Sequence, residues 1–151
     1  MTYADTNFFT NLMIPMLNHE EAKLVARELS EPLPLTWLLR IELVNALQQS
    51  VFLSRNGALQ CRVSPEFATA IEAQFFDEAR SGGRLRETQI SHDSIYAVFH
   101  QLSHRHTAKE GFRTYDILHV SSALVLGCDT FWSFDKKGKR LAELEGLTVN
   151  G

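Results

Sequence analysis

Four acidic residues occupy the positions where this sequence could do chemistry. Asp5 follows a short stretch at the start of the chain that is predicted to be a strand, and Glu42 lies in the first turns of a predicted helix. Asp116 opens another predicted helix, and Asp135 directly follows the mostly apolar run 131–134. Each acid therefore lies near a junction between a strand and a helix. If the strands are parallel, these junctions meet at one edge of the sheet, where the four carboxylates converge.

Carboxylates that converge need a counter-charge, because like charges repel and raise one another's pKa. No His or Cys accompanies the acids in a ligand-like spacing such as H-E-x-x-H. The implied site is therefore all oxygen, which suits Mg²⁺ or Mn²⁺ better than zinc. Such sites commonly serve phosphoryl chemistry, in which the metal activates a water and neutralises the scissile phosphate. The residues alone leave solvated acids as an alternative, since the chain has 18 acids and helix N-termini stabilise negative charge.

The elements that must position these acids alternate between strand and helix. Apolar periodicity and capping residues predict helices that begin near Asn18, Thr36, Ser64, Ile95, Thr114 and Lys139. Strands are predicted at 1–4, 32–35, 85–90, 130–134 and 147–149. Crossover helices between strands favour a parallel sheet. The predicted fold is α/β, a single three-layer α/β/α domain over residues 1–151, with a central parallel sheet of four to five strands flanked by helices.

Composition excludes several classes of protein. With 151 residues, 44% hydrophobic and 22% charged, the sequence is unlike a disordered, collagen-like or disulfide-stapled chain. Cys61 and Cys128 are far apart and predict neither a disulfide framework nor a zinc site. No leader and no run of about 18 apolar residues occurs, which predicts a cytoplasmic protein with no membrane contact. The net charge of −3 means that a polyanion would need a local basic patch.

Four segments of the sequence together resemble the PIN-domain family. They are Tyr3-Ala-Asp5-Thr-Asn7, Leu39-Arg-Ile-Glu42-Leu-Val-Asn-Ala-Leu47, Tyr115-Asp116-Ile-Leu-His119-Val-Ser-Ser-Ala123 and Phe131-Trp-Ser-Phe-Asp135. Each segment alone is weak, and the four in this order are specific. The chain length is also similar to that of single-domain PIN toxins of the VapC type. The resemblance implies a metal-dependent endoribonuclease, with a non-catalytic PIN-like module that binds RNA or a protein as the alternative.

The resemblance assigns catalytic roles residue by residue. Asp5, Glu42, Asp116 and Asp135 match the acidic positions of the family. Asp5 and Asp116 are the first choice as ligands of Mg²⁺ or Mn²⁺. Glu42 and Asp135 are expected to contact the metal directly or through water.

Neighbouring polar residues match supporting positions of the family. Thr6 and Asn7 match a polar pair after the first acid, and Ser133 matches a position that is often Ser or Thr. His119 lies on the same helix face as Asp116. We expect it to pack and hydrogen bond in a structural role, with acid–base chemistry or phosphate binding as the alternative.

The resemblance also implies partners. These are an RNA substrate, a second copy in a homodimer, and a small antitoxin protein, as in type II toxin–antitoxin pairs. Four cations adjacent to the acids are predicted RNA contacts, with solvated surface charge as the alternative: Arg40, Arg113, Lys136 and Lys137. The apolar stripe at 67–76 is expected to be core, with a dimer face as the alternative. Because unpaired acids repel, Asp116→Asn is expected to raise the melting temperature of the metal-free protein.

Overall fold

The predicted alternation of strands and helices is present in the computed structural model, which describes residues 1–151. The first strand, β1 (Thr2–Ala4), leads directly into α1 (Thr6–Met13) and then α2 (His19–Arg27). The rest of the chain follows in the order β2 (Leu33–Leu35), α3 (Trp37–Arg55), α4 (Pro65–Ser81), β3 (Leu85–Glu87), α5 (His92–Leu102), a π-helical turn (Ser103–Thr107), α6 (Ala108–Glu110), α7 (Thr114–Val125), β4 (Thr130–Trp132), α8 (Lys136–Leu144) and β5 (Thr148–Val149).

The five strands form two parallel sheets, one with the strand order β1-β4-β5 and the other with β2-β3. Hydrogen bonds join β1, β4 and β5, so that Phe131 pairs with Tyr3 on one side and Val149 on the other. They also join β2 to β3, and β1 lies beside β2. The predicted parallel sheet flanked by helices is therefore confirmed, with one break in hydrogen bonding between β1 and β2.

Pro34 gives a physical reason for this break. The Leu33 N–H donates to the Arg84 carbonyl (N···O 2.8 Å), and the Thr88 N–H donates to the Leu35 carbonyl (3.0 Å). Residues 33 and 35 therefore direct backbone groups toward β3, and the alternation along the strand turns residue 34 toward β1. Proline has no N–H to donate across that gap.

The apolar core lies between the sheet and its helices. One cluster contains 28 buried residues, among them the fully buried Tyr3, Phe8, Phe9 and Phe131. Helices α1 to α4 pack with one another, and α5, α7 and α8 form a second group. No helix combines the length and the apolar character needed to span a bilayer.

The apolar stripe of α4 contributes to this core. Ile71 and Phe75 are buried in the cluster, whereas Phe67 at the start of the helix is exposed. The expectation that the stripe is core is thus confirmed for its middle and wrong for its first residue.

Three element boundaries near the acids differ from the sequence prediction. The sequence pattern does not predict α1, whose Thr and Asn residues are poor helix formers; it forms because Asp5 caps it and it buries apolar side chains. Helix α8 begins at Lys136 because Asp135 caps it. Thr114 is not the cap of α7 but its first residue, and Arg113 occupies the N-cap position.

Phe131 should contribute strongly to stability, because its side chain is fully buried and stacks on the Tyr3 ring (centroids 5.9 Å apart). We expect Phe131→Ala to lower the free energy of unfolding by about 3–5 kcal/mol. Tyr96→Ala is the matched control, since Tyr96 is 68% exposed on α5, and should cost less than about 1 kcal/mol. Urea unfolding followed by circular dichroism measures both losses, and equal losses would contradict this core.

Candidate active site

A cleft of about 540 Å³ opens at the edge of the sheet where β1 and β4 end. All four predicted acids line it: Asp5, Glu42, Asp116 and Asp135. The structure thus brings together carboxylates that are as much as 130 residues apart in sequence. Their roles in metal binding and catalysis stay predictions.

Asp5 is held at the end of β1 as the N-cap of α1. Its Oδ1 accepts a hydrogen bond from the Phe8 N–H (N···O 2.9 Å), and the residue is only 7% exposed. Burial raises the pKa of Asp5 to about 6, and the nearby charge of Asp135 acts in the same direction. His119 and the Ser133 hydroxyl oppose this rise without cancelling it. Ionised Asp5 is therefore costly in the metal-free protein.

Asp135 is held by backbone N–H groups at the start of α8. Its Oδ1 accepts from the Lys137 N–H (2.8 Å) and the Gly138 N–H (3.2 Å), and its own N–H donates to Ser133 Oγ (2.9 Å). Burial alone would raise the pKa of Asp135, but these two N–H groups and the Arg113 guanidinium lower it below its ordinary value. Asp135 therefore stays ionised in the folded protein.

Asp116 is paired with Arg113, the residue that precedes α7. Arg113 Nε donates to Asp116 Oδ2 (3.0 Å), and Nη2 donates to Oδ1 (3.0 Å). The backbone N–H of Arg113 also donates to Oδ2 (3.1 Å), which closes the first turn of the helix. Nη2 reaches across the cleft edge to Asp135 Oδ2 (2.8 Å). One guanidinium thus joins two of the four acids, and both carboxylates raise the pKa of Arg113 further above its ordinary value.

Glu42 is held by a hydrogen-bond chain that reaches into the core. Its Oε2 accepts from the Thr6 hydroxyl (2.8 Å) and is hydrogen bonded to His119 Nε2. An ionised carboxylate only accepts, so His119 Nε2 must carry the hydrogen. In the neutral imidazole, Nδ1 is then the acceptor for the hydroxyl of buried Tyr3 (2.9 Å). The expectation that His119 hydrogen bonds in a structural role agrees with this arrangement.

The predicted supporting residues lie around the acids. Thr6 contacts Glu42, and Ser133 lies beside both Asp5 and Asp135. Asn7 lines the cleft and accepts a hydrogen bond from the N–H of residue 134 through its Oδ1 (3.1 Å). It therefore ties the start of α1 to the segment that carries the last acid.

Three of the four predicted cations lie outside the cleft. Arg40 pairs with Glu87 of β3, and the Lys137 ammonium donates to the Glu110 carbonyl. Lys136 is exposed on the first turn of α8 and lines a separate, shallower pocket. The expected ring of cations around the acids is therefore absent, and RNA contact by these residues stays a prediction.

Several residues that the sequence analysis did not single out also line the cleft. Asn45 and Gln49 follow Glu42 by three and seven positions, which places them on the same face of α3. This spacing is visible in the sequence and could have indicated them. Tyr115 is half-exposed at the cleft beside Asp116, and only the position of the neighbouring acid indicates it.

The chemistry of the cleft fits a hard divalent cation, since four carboxylates line it. In the observed side-chain arrangement, however, no three Asp, Glu, His or Cys groups converge on a point that could hold a metal. The ion pairs explain why, because Arg113 engages Asp116 and Asp135 while a histidine engages Glu42. A cation would therefore bind here only if some of these pairs open.

Comparison with solved structures finds this fold in VapC-type proteins. VapC20 from Mycobacterium tuberculosis, a toxin that cleaves the sarcin–ricin loop, aligns over 93% of this chain and 94% of its own, with a TM-score of 0.64 and 16% identity. FitAcB from Neisseria gonorrhoeae aligns over 100% and 97%, with a TM-score of 0.68 and 13% identity. VapBC2 from Rickettsia felis, solved with a DNA fragment from its promoter, aligns over 99% and 98%, with a TM-score of 0.65 and 15% identity.

These similarities concern the fold. No protein-family model matches the sequence, and no curated protein matches it significantly. The chain has the PIN-like fold of the VapC structures, as its four sequence segments predict.

Asp5→Asn should stabilise the metal-free protein at neutral pH. The folded-state pKa of Asp5 lies near 6, above the ordinary value of 3.8, so the folded state binds this proton more tightly than the unfolded state. The contribution of Asp5 to stability therefore falls as the pH rises from about 4 to about 6, and stays low above that. Because Asn keeps a capping oxygen, the variant should exceed wild type by up to about 3 kcal/mol at pH 7.5 and by little at pH 4.

Urea unfolding in EDTA at both pH values tests this prediction, and a difference that does not change with pH would contradict it. Asp116→Asn is the comparison variant in the same unfolding experiment. Asp116 already has Arg113 as a counter-ion, so its neutralisation should leave the metal-free stability equal or lower. The structure thus revises the expectation that Asp116→Asn raises the melting temperature.

Proposed function

We propose that this protein is a Mg²⁺- or Mn²⁺-dependent endoribonuclease that hydrolyses phosphodiester bonds in RNA. The observation that carries the proposal is the convergence of four carboxylates in one cleft of a PIN-like fold. VapC20, a toxin that cleaves the sarcin–ricin loop, has the same fold, which supports RNA as the substrate class. Because fold does not determine function, the proposal depends mainly on the residues of the cleft.

Asp5 and Asp116 are the proposed direct ligands of the cation, and Glu42 and Asp135 would contact it directly or through water. A divalent cation bound there would neutralise charge on the scissile phosphate and make a water more acidic. Asp5 is the acid whose ionised form is costliest without such a cation, because it is buried and forms no ion pair.

The chain's own residues fix the acids before any ligand binds. Thr6 and His119 orient the Glu42 carboxylate, and the buried Tyr3 hydroxyl orients the histidine ring by a hydrogen bond to Nδ1. Backbone N–H groups at the start of α8 orient Asp135. Such preorganisation lowers the cost of arranging charges when a phosphate enters.

The outer part of the cleft offers groups for the nucleotides themselves. Asn45 and Gln49 present amides that can hydrogen bond to base edges, and Tyr115 presents an accessible ring. Proteins recognise single-stranded RNA through these two kinds of contact. We therefore propose that the substrate is unpaired RNA, including loops.

We also propose that the protein is the toxin of a type II toxin–antitoxin pair and acts in the cytoplasm. The resemblance to VapC-type toxins, together with the shared fold of VapBC2 and FitAcB, supports a small antitoxin partner. A homodimer is part of the proposal, because α3 exposes four large apolar side chains along its length: Ile41, Val44, Phe52 and Leu53.

A non-catalytic PIN-like module that binds RNA or a protein is the second candidate. The pairing of Asp116 and Asp135 with Arg113 favours it, because the observed arrangement holds no ready metal site. This candidate predicts binding that EDTA does not affect and no cleavage.

Purified protein should cut total cellular RNA at discrete positions in Mn²⁺ and not in EDTA. We expect Asp116→Asn to cut at least about 100-fold more slowly, because it removes a proposed ligand. Asp93→Asn is the matched control, since Asp93 is an exposed acid in the first turn of α5 and lies outside the cleft. Sequencing of the new RNA ends measures the cuts. Equal cutting by the Asp116 variant would contradict the assigned site, and no cutting in any condition would favour the binding module.

Expression of the wild-type protein should arrest the growth of a bacterial host, because a ribonuclease without its antitoxin degrades cellular RNA. Expression of Asp116→Asn at the same level should not. Growth curves with immunoblots of both proteins provide the measurement. If both cultures grow normally while the purified protein cuts RNA, the toxin role is contradicted and the nuclease activity stands.

A further inference from the structure

The Arg113 side chain occupies the position of a counter-cation in the cleft. Its guanidinium donates to both oxygens of Asp116 and to one oxygen of Asp135, with three N···O distances of 2.8–3.0 Å. These are two of the four acids that would hold the metal. The pairing neutralises part of their charge in the absence of any ion.

The geometry of α7 does not require this guanidinium. The first turn is closed by the backbone N–H of Arg113, which donates to Asp116 Oδ2 (3.1 Å). Asp135 likewise has two backbone donors of its own, the N–H groups of Lys137 and Gly138. Both carboxylates would therefore keep their places if the guanidinium moved away.

The guanidinium also lies at the solvent side of the two acids. The Arg113 side chain is 65% exposed, whereas the carboxylate of Asp116 beneath it is almost fully buried. Among the residues that line the cleft, Arg113 is the only Lys or Arg. A solvent-accessible cation thus lies over two acids that backbone N–H groups hold.

We propose that Arg113 is a built-in counter-cation that a divalent metal displaces from Asp116 and Asp135, so that metal binding releases the guanidinium to the mouth of the cleft. This inference rests on the proposed function for the identity of the metal site. Because the two cations compete for the same oxygens, Arg113 weakens metal binding. It also stabilises the metal-free protein, since it separates two carboxylates that would otherwise repel.

Mn²⁺ titration calorimetry on wild type and Arg113→Gln tests the inference. The Gln variant keeps the backbone N–H that closes α7 and loses the competing charge. We expect it to bind Mn²⁺ about tenfold more tightly, which is an ordinary size for the coupling between two ligands. Arg80→Gln is the matched control, since Arg80 forms an exposed i,i+3 pair with Asp77 on α4, away from the cleft, and should bind Mn²⁺ as wild type does.

Thermal unfolding gives a second readout that does not depend on activity. In EDTA, Arg113→Gln should melt at a lower temperature than wild type, because two acids have lost their counter-ion. Saturating Mn²⁺ should raise its melting temperature by more than it raises that of wild type. A variant that is merely misfolded would lose Mn²⁺ binding, which is the opposite of the expected result.

The outcomes separate this inference from the proposed function. Equal or weaker Mn²⁺ binding by Arg113→Gln overturns the inference, and the proposed function stands if wild type still cuts RNA with Mn²⁺. Tighter binding by the variant without RNA cleavage by wild type supports the inference and contradicts the nuclease. If neither protein binds Mn²⁺ at millimolar concentration, both are wrong.

Discussion

The repulsion among four carboxylates at one edge of a parallel sheet is the constraint on which the rest of this structure depends. The chain holds these acids in place by hydrogen bonds of two kinds. Backbone N–H groups at helix starts hold Asp5, Asp116 and Asp135, and a histidine fixed by a buried tyrosine holds Glu42. The short strands, the helix starts that follow them and the buried Tyr3 all serve this arrangement. The fold thus concentrates negative charge in a cleft and compensates for most of it, but not for all.

The negative charge that has no counter-charge lies mainly on Asp5. Asp5 is buried directly after β1, yet it forms no ion pair, and its pKa is raised. A group that destabilises the free protein in this way is expected where the protein binds a ligand that relieves the cost. The acids that are compensated, Asp116 and Asp135, share the Arg113 guanidinium, which we propose that a metal displaces. The cleft therefore combines negative charge that a metal would neutralise with an arginine side chain that a metal would displace.

Much of this arrangement could be predicted from the sequence, because it depends on local rules. The parallel sheet follows from the alternation of apolar runs and capped helices, and the acids can be placed because each lies at a helix start or within its first two turns. Helix α1 could not be predicted in this way, since its composition is poor for a helix and its stability comes from burial of Phe8 and Phe9. Helix α8 begins earlier than the sequence predicts because Asp135, which lines the cleft, also caps the helix.

The partners of the acids could not be predicted, because they depend on contacts between distant parts of the chain. Tyr3 meets His119 across 116 residues, and Arg113 meets Asp135 across 22. Nothing local distinguishes Arg113 from Arg40, which also precedes an acid by a short distance but pairs with Glu87 on another strand. An arginine or lysine next to an acid in sequence is therefore weak evidence that the two side chains pair in the fold.

The most direct test of the central claim, that this cleft holds a divalent cation, is anomalous X-ray scattering from crystals of the protein grown with Mn²⁺. The account predicts an anomalous peak in the cleft, with Asp5 and Asp116 within coordination distance and the guanidinium of Arg113 turned away from Asp116. No peak in the cleft at saturating Mn²⁺, with Arg113 still paired to both acids, would contradict it.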